Sequence, residues 1–248
     1  MYQFFVDRSE IDEKNNRVIL CGENYNHLIN VLRITKGEEF AVSNGEDMRE
    51  YRCSLLSADG DVAVCEIRFI KESDIELPVK VHLYQGIPKG DKMELIIQKM
   101  VELGVYDITP VAMSRCIAKL DDKKEKNKIS RWNAISEAAA KQSKRKIIPT
   151  VRNPLSFKEA IREASSSTVR LIPYELSEGM DRTRSILKSL KNEDEISFFI
   201  GPEGGISEEE IEYARAAGFE PVTLGKRILR TETAGLTLMA FIMYETEG

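Results

Sequence analysis

Two short segments carry residue types whose spacing points to ligand chemistry. The first is Gly201-Pro202-Glu203-Gly204-Gly205, entered from the apolar run Ile196 to Ile200. Three glycines and a proline make a loop with no bulk and little freedom. Its backbone can lie against a flat ring and read the ring's edge with N–H and C=O groups. The carboxylate of Glu203 disfavours a phosphate there. The second segment runs from Leu224 to Ala234 and reads LGKRILRTETA. Arg227 and Arg230 stand three apart beside Glu232, a set suited to an RNA phosphate or to holding charge at a reaction centre. Taken singly, each segment also reads as ordinary chain: a strand-to-helix turn with unusual backbone angles, and a surface loop with a local ion pair.

Other chemistries find less support. The chain has no G-x-G-x-x-G run and no G-x-x-x-x-G-K-[ST] run, which removes the usual dinucleotide and nucleoside-triphosphate loops. The two histidines, His27 and His82, have no neighbouring nucleophile motif and no ligand spacing, so a hydrolytic triad and a zinc site are both unsupported. Cys21, Cys53, Cys65 and Cys116 form no C-x-x-C pair and are expected as reduced thiols in or near the core. No metal is expected. Charged residues follow directly on Met1 to Val6, and the longest apolar runs, Ile196 to Ile200 and Leu236 to Tyr244, are too short or too mixed to span a bilayer. The expectation is a cytoplasmic protein without a membrane segment.

The chain of 248 residues carries a net charge of −5, which by itself argues mildly against a nucleic-acid partner. The distribution matters more. Between Arg115 and Lys146 eleven basic residues face four acidic ones, so this stretch is +7 and the remainder is −12. A local basic surface can guide a polyanion even on an acidic protein. A solvated helical face would read the same way.

The elements that must position the two loops fall into two groups. Up to about residue 72 the chain reads as short strands: Gln3 to Val6, Arg17 to Leu20, Glu39 to Ser43, Glu50 to Leu56 and Asp61 to Phe69. Asn15-Asn16, Lys36-Gly37, Asn44-Gly45 and Asp59-Gly60 punctuate them, and Asp59-Gly60 reads as a hairpin turn. Asn24 to Leu32 offers a turn or two of helix with Leu28, Val31 and Leu32 on one side. Strands at this spacing suggest a small β-barrel.

After a charged, proline-containing boundary at Lys71 to Pro78, strands alternate with helices. Strands are expected at Val79 to Gln85, Ile108 to Ala112, Val169 to Pro173, Glu195 to Ile200 and Glu220 to Thr223. Helices are expected at Asp91 to Leu103, Ile129 to Lys144, Phe157 to Ala164, Met180 to Leu190, Ser207 to Ala217 and Thr233 to Tyr244. This order predicts an α/β domain with a parallel sheet covered on both faces. Ser207 with Glu210 fits a capping box, and Ile206 with Ile211 fits the apolar staple around it. The glycine loop therefore leaves a strand's C-terminal end just before a helix, where open α/β sheets bind ligands.

Together the two loops resemble the SPOUT class of RNA methyltransferases, and within it the RsmE family, which methylates N3 of a uridine in small-subunit (16S) ribosomal RNA. The likeness runs through Phe4-Phe5-Val6 with Arg8, through Gln85-Gly86-Ile87-Pro88-Lys89-Gly90-Asp91-Lys92, through Lys99 to Gly104, and through Glu137, Gln142, Ser143 and Arg145. It implies a PUA-like RNA-binding β-barrel over residues 1–72. Over residues 73–248 it implies a methyltransferase domain tied in a deep trefoil knot, one of the exceptions to unthreaded chain paths. It further implies a homodimer through the knot region and the last helix, with ribosomal RNA or the small ribosomal subunit as partner.

The implied cofactor is S-adenosyl-L-methionine. Its site would be built from Leu171, Ile172, Pro173 and Tyr174, from Ile200, Gly201, Pro202, Glu203, Gly204 and Gly205, and from Leu224, Gly225, Ile228, Leu229, Arg230, Thr233 and Ala234. Arg230 is the candidate for stabilising the uridine anion. Glu232 is the candidate for a general base or for orienting Arg230. Arg8, Lys89, Lys92 and Arg145 are candidate phosphate contacts. The basic stretch Lys123 to Lys128 has no matching family feature and reads equally as a loop or an RNA contact. The alternatives are a methyltransferase of this class acting on another RNA or atom, a non-catalytic RNA-binding protein of the same fold, and a small-molecule transferase.

Overall fold

Period-two patterning in the N-terminal part of the chain produces the expected strands. The computed structural model describes residues 1–117, 122–174 and 179–247, with the backbone alone over 122–124. Lys119 and the side chains of Lys123 and Lys124, part of the basic stretch, lie outside the described residues. The chain divides into two units: Met1–Glu76 with Ala140–Ile148, and Leu77–Ala139 with Pro149–Gly248.

The first unit contains β1 (Gln3–Phe5), β2 (Ile11–Asp12), β3 (Arg17–Cys21), α1 (Gly22–Asn26), β4 (Glu39–Ser43), β5 (Arg49–Asp59) and β6 (Val62–Glu72). They form one six-stranded sheet in the order β1-β4-β5-β6-β3-β2, antiparallel except for β1 on β4. Phe4, Val18, Leu20, Phe40, Val42, Tyr51, Ala63 and Cys65 share its core. Asp59 and Gly60 make the predicted hairpin, with Gly60 in the left-handed region at φ 56°. Two register shifts in β5, after Arg52 and after Leu55, bend the long hairpin.

Three expectations change here. The two-residue β2 was too short to show a period. Residues His27–Val31 continue α1 as a wider turn that buries Leu28, while Val31 points to solvent. Cys21 is also exposed, whereas Cys53 and Cys65 are in the core and all four thiols are free.

The first unit also contains two buried ion pairs. Glu50 meets Lys146 Nζ at 2.5 Å and Arg52 Nε at 2.7 Å. Arg145 meets Glu76 at 2.5 Å, and the backbone N–H groups of Lys146 and Ile147 donate to the same carboxylate. Arg145 is only 4% exposed. A guanidinium so buried and already spent on a carboxylate is not presented to a phosphate, contrary to the expectation for this residue.

The second unit contains β7 (Lys80–Gly86), α2 (Lys92–Glu102), β8 (Asp107–Ala112), α3 (Asp122–Ser143, whose last turn belongs to the first unit), β9 (Thr150–Val151), β10 (Leu155–Ser156), α4 (Phe157–Ala164), β11 (Val169–Pro173), α5 (Met180–Lys188), β12 (Glu195–Ile200), α6 (Glu208–Ala216), β13 (Glu220–Val222) and α7 (Thr231–Thr246). The sheet is parallel throughout, in the order β10-β8-β7-β12-β11-β13 with β9 paired to β8.

β12 is buried from Ile196 to Ile200, as the unbroken apolar run of a parallel strand requires. On one face Phe199 stacks on Tyr84 at 4.7 Å and meets Phe157 and Phe219 edge-on, so that α4 and α6 close that side. α2 and α7 pack against each other, and α7 also contacts β12. Both predicted features of the α6 start are present: the Ser207–Glu210 capping box and the buried pair Ile206 and Ile211. Such a cap stabilises by about 1 kcal/mol. Among the described residues no helix is long and apolar enough to cross a membrane, and no cluster of His, Cys, Asp and Glu could hold a metal ion.

The Glu50 pair gives a pH-dependent prediction. Burial would raise the Glu50 carboxyl, but Lys146 and Arg52 outweigh it and lower it to about 2 from 4.5. A carboxyl lowered on folding contributes stability above its unfolded value and loses it as pH falls through the folded value. Lys146→Met should therefore destabilise the protein by roughly 3 kcal/mol at neutral pH. Urea unfolding curves of parent and variant should converge as pH falls from 4.5 toward 2.

Candidate functional site

β11, β12 and β13 stop at Pro173, Ile200 and Val222 on the same edge of the sheet. The loops beyond them enclose a cavity of about 580 Å³. The sequence-predicted residues Pro173, Tyr174, Ile200, Gly201, Pro202, Glu203, Gly204, Gly205, Leu224, Gly225, Ile228, Leu229, Arg230 and Ala234 all line it. Gly204 and Gly225, 21 positions apart in the chain, thus face one hollow. Leu171 and Ile172 do not line it: they lie buried in β11 below the loop. Thr233 is exposed on the first turn of α7 and also stands outside the lining. Lys92, Ile206, Thr223, Arg227 and Thr231 line it as well. Sequence reasoning assigned Lys92 to RNA and passed over the other four as lining residues. Arg227 and Thr231 lie inside the second loop motif and were within its reach.

A buried hydrogen-bond chain ties the two loops together. Gln85, at the end of β7 and fully buried, donates from Nε2 to Thr231 Oγ1 at 2.9 Å and to Gly86 O at 2.9 Å. Thr231 in turn donates to Gly201 O at 2.7 Å. The direction is set by the inventory of donors. Thr231 has one hydroxyl proton, and spending it on Gly201 requires that Gln85 present its amide nitrogen. The end of one strand, the glycine loop and the start of α7 are thereby pinned at one point.

The glycine loop is also held from outside. Glu203 accepts from Lys89 N–H at 3.1 Å and from Lys92 Nζ at 2.9 Å. Burial acts to raise its carboxyl, but these hydrogen bonds outweigh it and hold the group below the usual range. Lys92 is shifted upward by the same bond. Arg115 Nη1 donates to Gly204 O at 3.0 Å. Beneath the loop, a Cβ on Gly86 would stand 2.7 Å from Pro202, so only glycine admits this approach. The second loop is freer. Gly225 sits at φ 122°, a conformation costly for other residues, with open space where a Cβ would project. From Lys226 to Leu229 the backbone N–H and C=O groups make no hydrogen bond among the described residues.

Lys89 is exposed beside the glycine loop. Arg8 lies in the first unit, where it pairs with Glu13 at 2.6 Å and donates to Tyr51 Oη at 2.8 Å. Arg230 is exposed and lines the cavity. Glu232 Oε2 is shut off from solvent without a hydrogen-bond donor, and its ionic neighbour is Lys92 at 3.8 Å. Lys126 and Lys128 are exposed on α3.

Known proteins resemble this arrangement over the whole chain. Residues 75–243 match the RNA methyltransferase domain model, and residues 20–68 match the RNA methyltransferase PUA domain model. The chain is 35% identical to ribosomal RNA small subunit methyltransferase E of Bacillus subtilis, covering 100% of this chain and 98% of that one. Its identity to the Mesomycoplasma hyopneumoniae protein of the same name is 35%, covering 96% and 97%. The crystal structure of a ribosomal RNA small subunit methyltransferase E from Neisseria gonorrhoeae bound to S-adenosyl methionine superposes with a TM-score of 0.85. That protein is 33% identical, with 98% of this chain and 97% of that one covered.

The hydrogen-bond chain predicts a selective effect of its hydroxyl. Thr231→Val keeps the side-chain volume but leaves one buried Gln85 amide proton and the Gly201 carbonyl without their partner, and should lower the unfolding free energy by about 1–3 kcal/mol. Thr231→Ser keeps the oxygen and should recover more than half of that loss in urea titrations.

Proposed function

Because the chain belongs to the ribosomal RNA small subunit methyltransferase E family, we propose that it transfers a methyl group from S-adenosyl-L-methionine to N3 of a uridine in 16S ribosomal RNA. The observation that carries this reading is the shared hollow of the two glycine-bearing loops, with two arginines on its rim. Its volume suits a small-molecule site. The unbonded backbone from Lys226 to Leu229 and the open side of Gly225 suit a nucleoside read by main-chain atoms. The residues present therefore fit the methyl donor, with Pro173, Tyr174, Gly201 to Gly205 and Leu224 to Leu229 as its holders. When bound, the donor supplies an electrophilic methyl on a sulfonium.

The protein's own task is the uridine. N3 loses its proton, the new N3–C bond forms, and the old S–C bond leaves its electron pair on sulfur. Negative charge on the base spreads to its carbonyl oxygens. Arg230, exposed on the cavity rim, is positioned to offset that charge and to fix the base. Alignment of the reacting atoms by the pinned loops supplies much of the remaining acceleration. A base inside an RNA helix must first be unstacked. Arg8 and Lys89 remain the phosphate contacts of this reading, with Arg8 on the unit that matches a PUA domain.

Three further features belong to the same reading. The six-stranded sheet around a single core supports a PUA-like barrel. The return of the chain from edge strand β13 to α7 on α2 and β12, with Thr231 bonded to Gly201, supports a knotted path. α7 buries Leu238, Met239 and Ile242 yet leaves Tyr244 open and Leu236 and Phe241 only half-buried, which supports a second copy covering its outer side. Work on ribosomal RNA implies a cytoplasmic protein.

The deciding experiment is nucleoside mass spectrometry of small-subunit RNA from a deletion strain. Loss of N3-methyluridine is expected. Loss of a different nucleoside would move the activity to another atom or RNA, and an unchanged profile would leave a binding protein. Arg230→Ala should lower single-turnover methyl transfer roughly 100-fold while donor affinity by titration calorimetry changes less than about threefold.

A further inference from the structure

The charged groups around the cavity are unevenly paired. Lys92 Nζ hydrogen-bonds Glu203 at 2.9 Å and stands 3.8 Å from Glu232 Oε2. Arg227 and Arg230 form no ion pair and no side-chain hydrogen bond among the described residues. Glu232 Oε2 is sealed from solvent and receives no hydrogen bond. A carboxylate in that setting requires a nearby counter-charge.

Two cations are available to it. Lys92 is one. Arg230 is the other, two residues earlier in the chain. Residues two apart on a helix point away from each other. That separation does not apply here, because Arg230 is the N-cap of α7 and its backbone is extended, at φ −66° and ψ 156°. The three charges share one neighbourhood: Lys92 and Arg230 line the same cavity, and Lys92 Nζ stands 3.8 Å from the Glu232 carboxylate. The carboxylate nonetheless lies against Lys92, and the guanidinium is left open.

We propose that Lys92 is a positioning residue for methyl transfer: it holds Glu232, keeps that carboxylate off Arg230, and so leaves the guanidinium undivided for the uridine. This rests on the reading of Arg230 as the group that offsets the base's charge. Lys92 then serves the reaction from inside the site rather than as an RNA phosphate contact. Glu232 is a charge held in check rather than the proton acceptor, and the imide proton passes to solvent water. Lys92 also reaches Glu203, so the same ammonium links the glycine loop to the first turn of α7.

The test compares Lys92→Met, Glu232→Gln and the double variant with the parent, together with Lys92→Arg. Single-turnover transfer to small-subunit RNA, donor affinity by calorimetry and crystal structures are the measurements. Lys92→Met should slow transfer about 100-fold, because Glu232 turns to Arg230, whereas Glu232→Gln alone should cost only about fivefold. The double variant should regain most of the rate, since no carboxylate remains to quench Arg230. Lys92→Arg should stay within about fivefold of the parent, and the Lys92→Met crystal structure should show Glu232 hydrogen-bonded to Arg230.

A double variant no faster than Lys92→Met would overturn the proposal. So would loss of transfer in Glu232→Gln alone, which would make Glu232 the proton acceptor, or a Lys92→Met structure with Glu232 and Arg230 apart. Glu203→Gln separates the other Lys92 contact and should change donor affinity without the rate pattern above. If Lys92→Met does not fold, Lys92→Gln takes its place under the same criteria. A parent protein that binds donor but methylates no RNA would remove the methyltransferase reading, while the variant structures would still decide the charge arrangement.

Discussion

The site depends on a few buried polar atoms where three chain segments cross. Gln85 donates to Thr231, Thr231 donates to Gly201, and no solvent reaches the glutamine. In water each of these groups would find other partners. In the interior the donors among them must find acceptors in one another, because an unmade bond there costs more than a made bond contributes. The glycine loop and the start of α7 consequently have one relative placement. Glycines confer freedom, but these glycines sit in a loop whose ends and side chains are anchored.

Main-chain recognition requires that anchoring. A loop that reads a ring by N–H and C=O groups cannot adjust by changing rotamers, so its backbone must be held in place beforehand. Glu203 serves this purpose with its carboxylate turned outward to Lys89 and Lys92. An acidic residue in a binding loop would repel a phosphate. Here it is spent as a tether, which suits the role proposed for this loop, holding a sulfonium rather than an anion. Glu210 repeats the pattern at the start of α6, where it completes the capping box and accepts from Ser114 N–H at 2.8 Å beyond β8. Both carboxylates join a loop to a distant segment, and neither is available for chemistry.

What could be read from the chain alone was whatever depends on neighbours in sequence. The apolar run Ile196 to Ile200, the Ser207–Glu210 cap and the Asp59-Gly60 turn are local, and each appears where expected. The two loops were legible as motifs, and their meeting in one hollow followed from the strands that precede them. Leu171 and Ile172, which the resemblance placed at the donor site, lie buried in β11 and do not line the hollow. β9 and β10, two residues each, carry no period to detect. Lys92 and Glu203 are 111 positions apart, and Arg145 and Glu76 are 69 apart. Nothing in the local pattern distinguishes a lysine bound for solvent from one bound for a carboxylate, so basic residues near a motif were read as RNA contacts.

That ambiguity has a physical lesson for a chain of net charge −5 acting on a polyanion. Total charge governs long-range approach, and salt screens it beyond about 10 Å. At the reaction centre the relevant quantity is which cations remain unspent. Glu203 and Glu232 both lie against Lys92, while Arg227 and Arg230, which line the same cavity, have no ion-pair partner among the described residues. Two carboxylates absorbed by one ammonium leave the guanidinium groups as the exposed positive charge of the rim. Guanidinium is the better group for that place, because its planar fork can hold a carbonyl oxygen or a phosphate in a fixed direction. An ammonium, compact and without a preferred plane, is the better neutraliser between two carboxylates. The division of labour we propose between Lys92 and Arg230 therefore follows from the shapes of the two cations as much as from their positions.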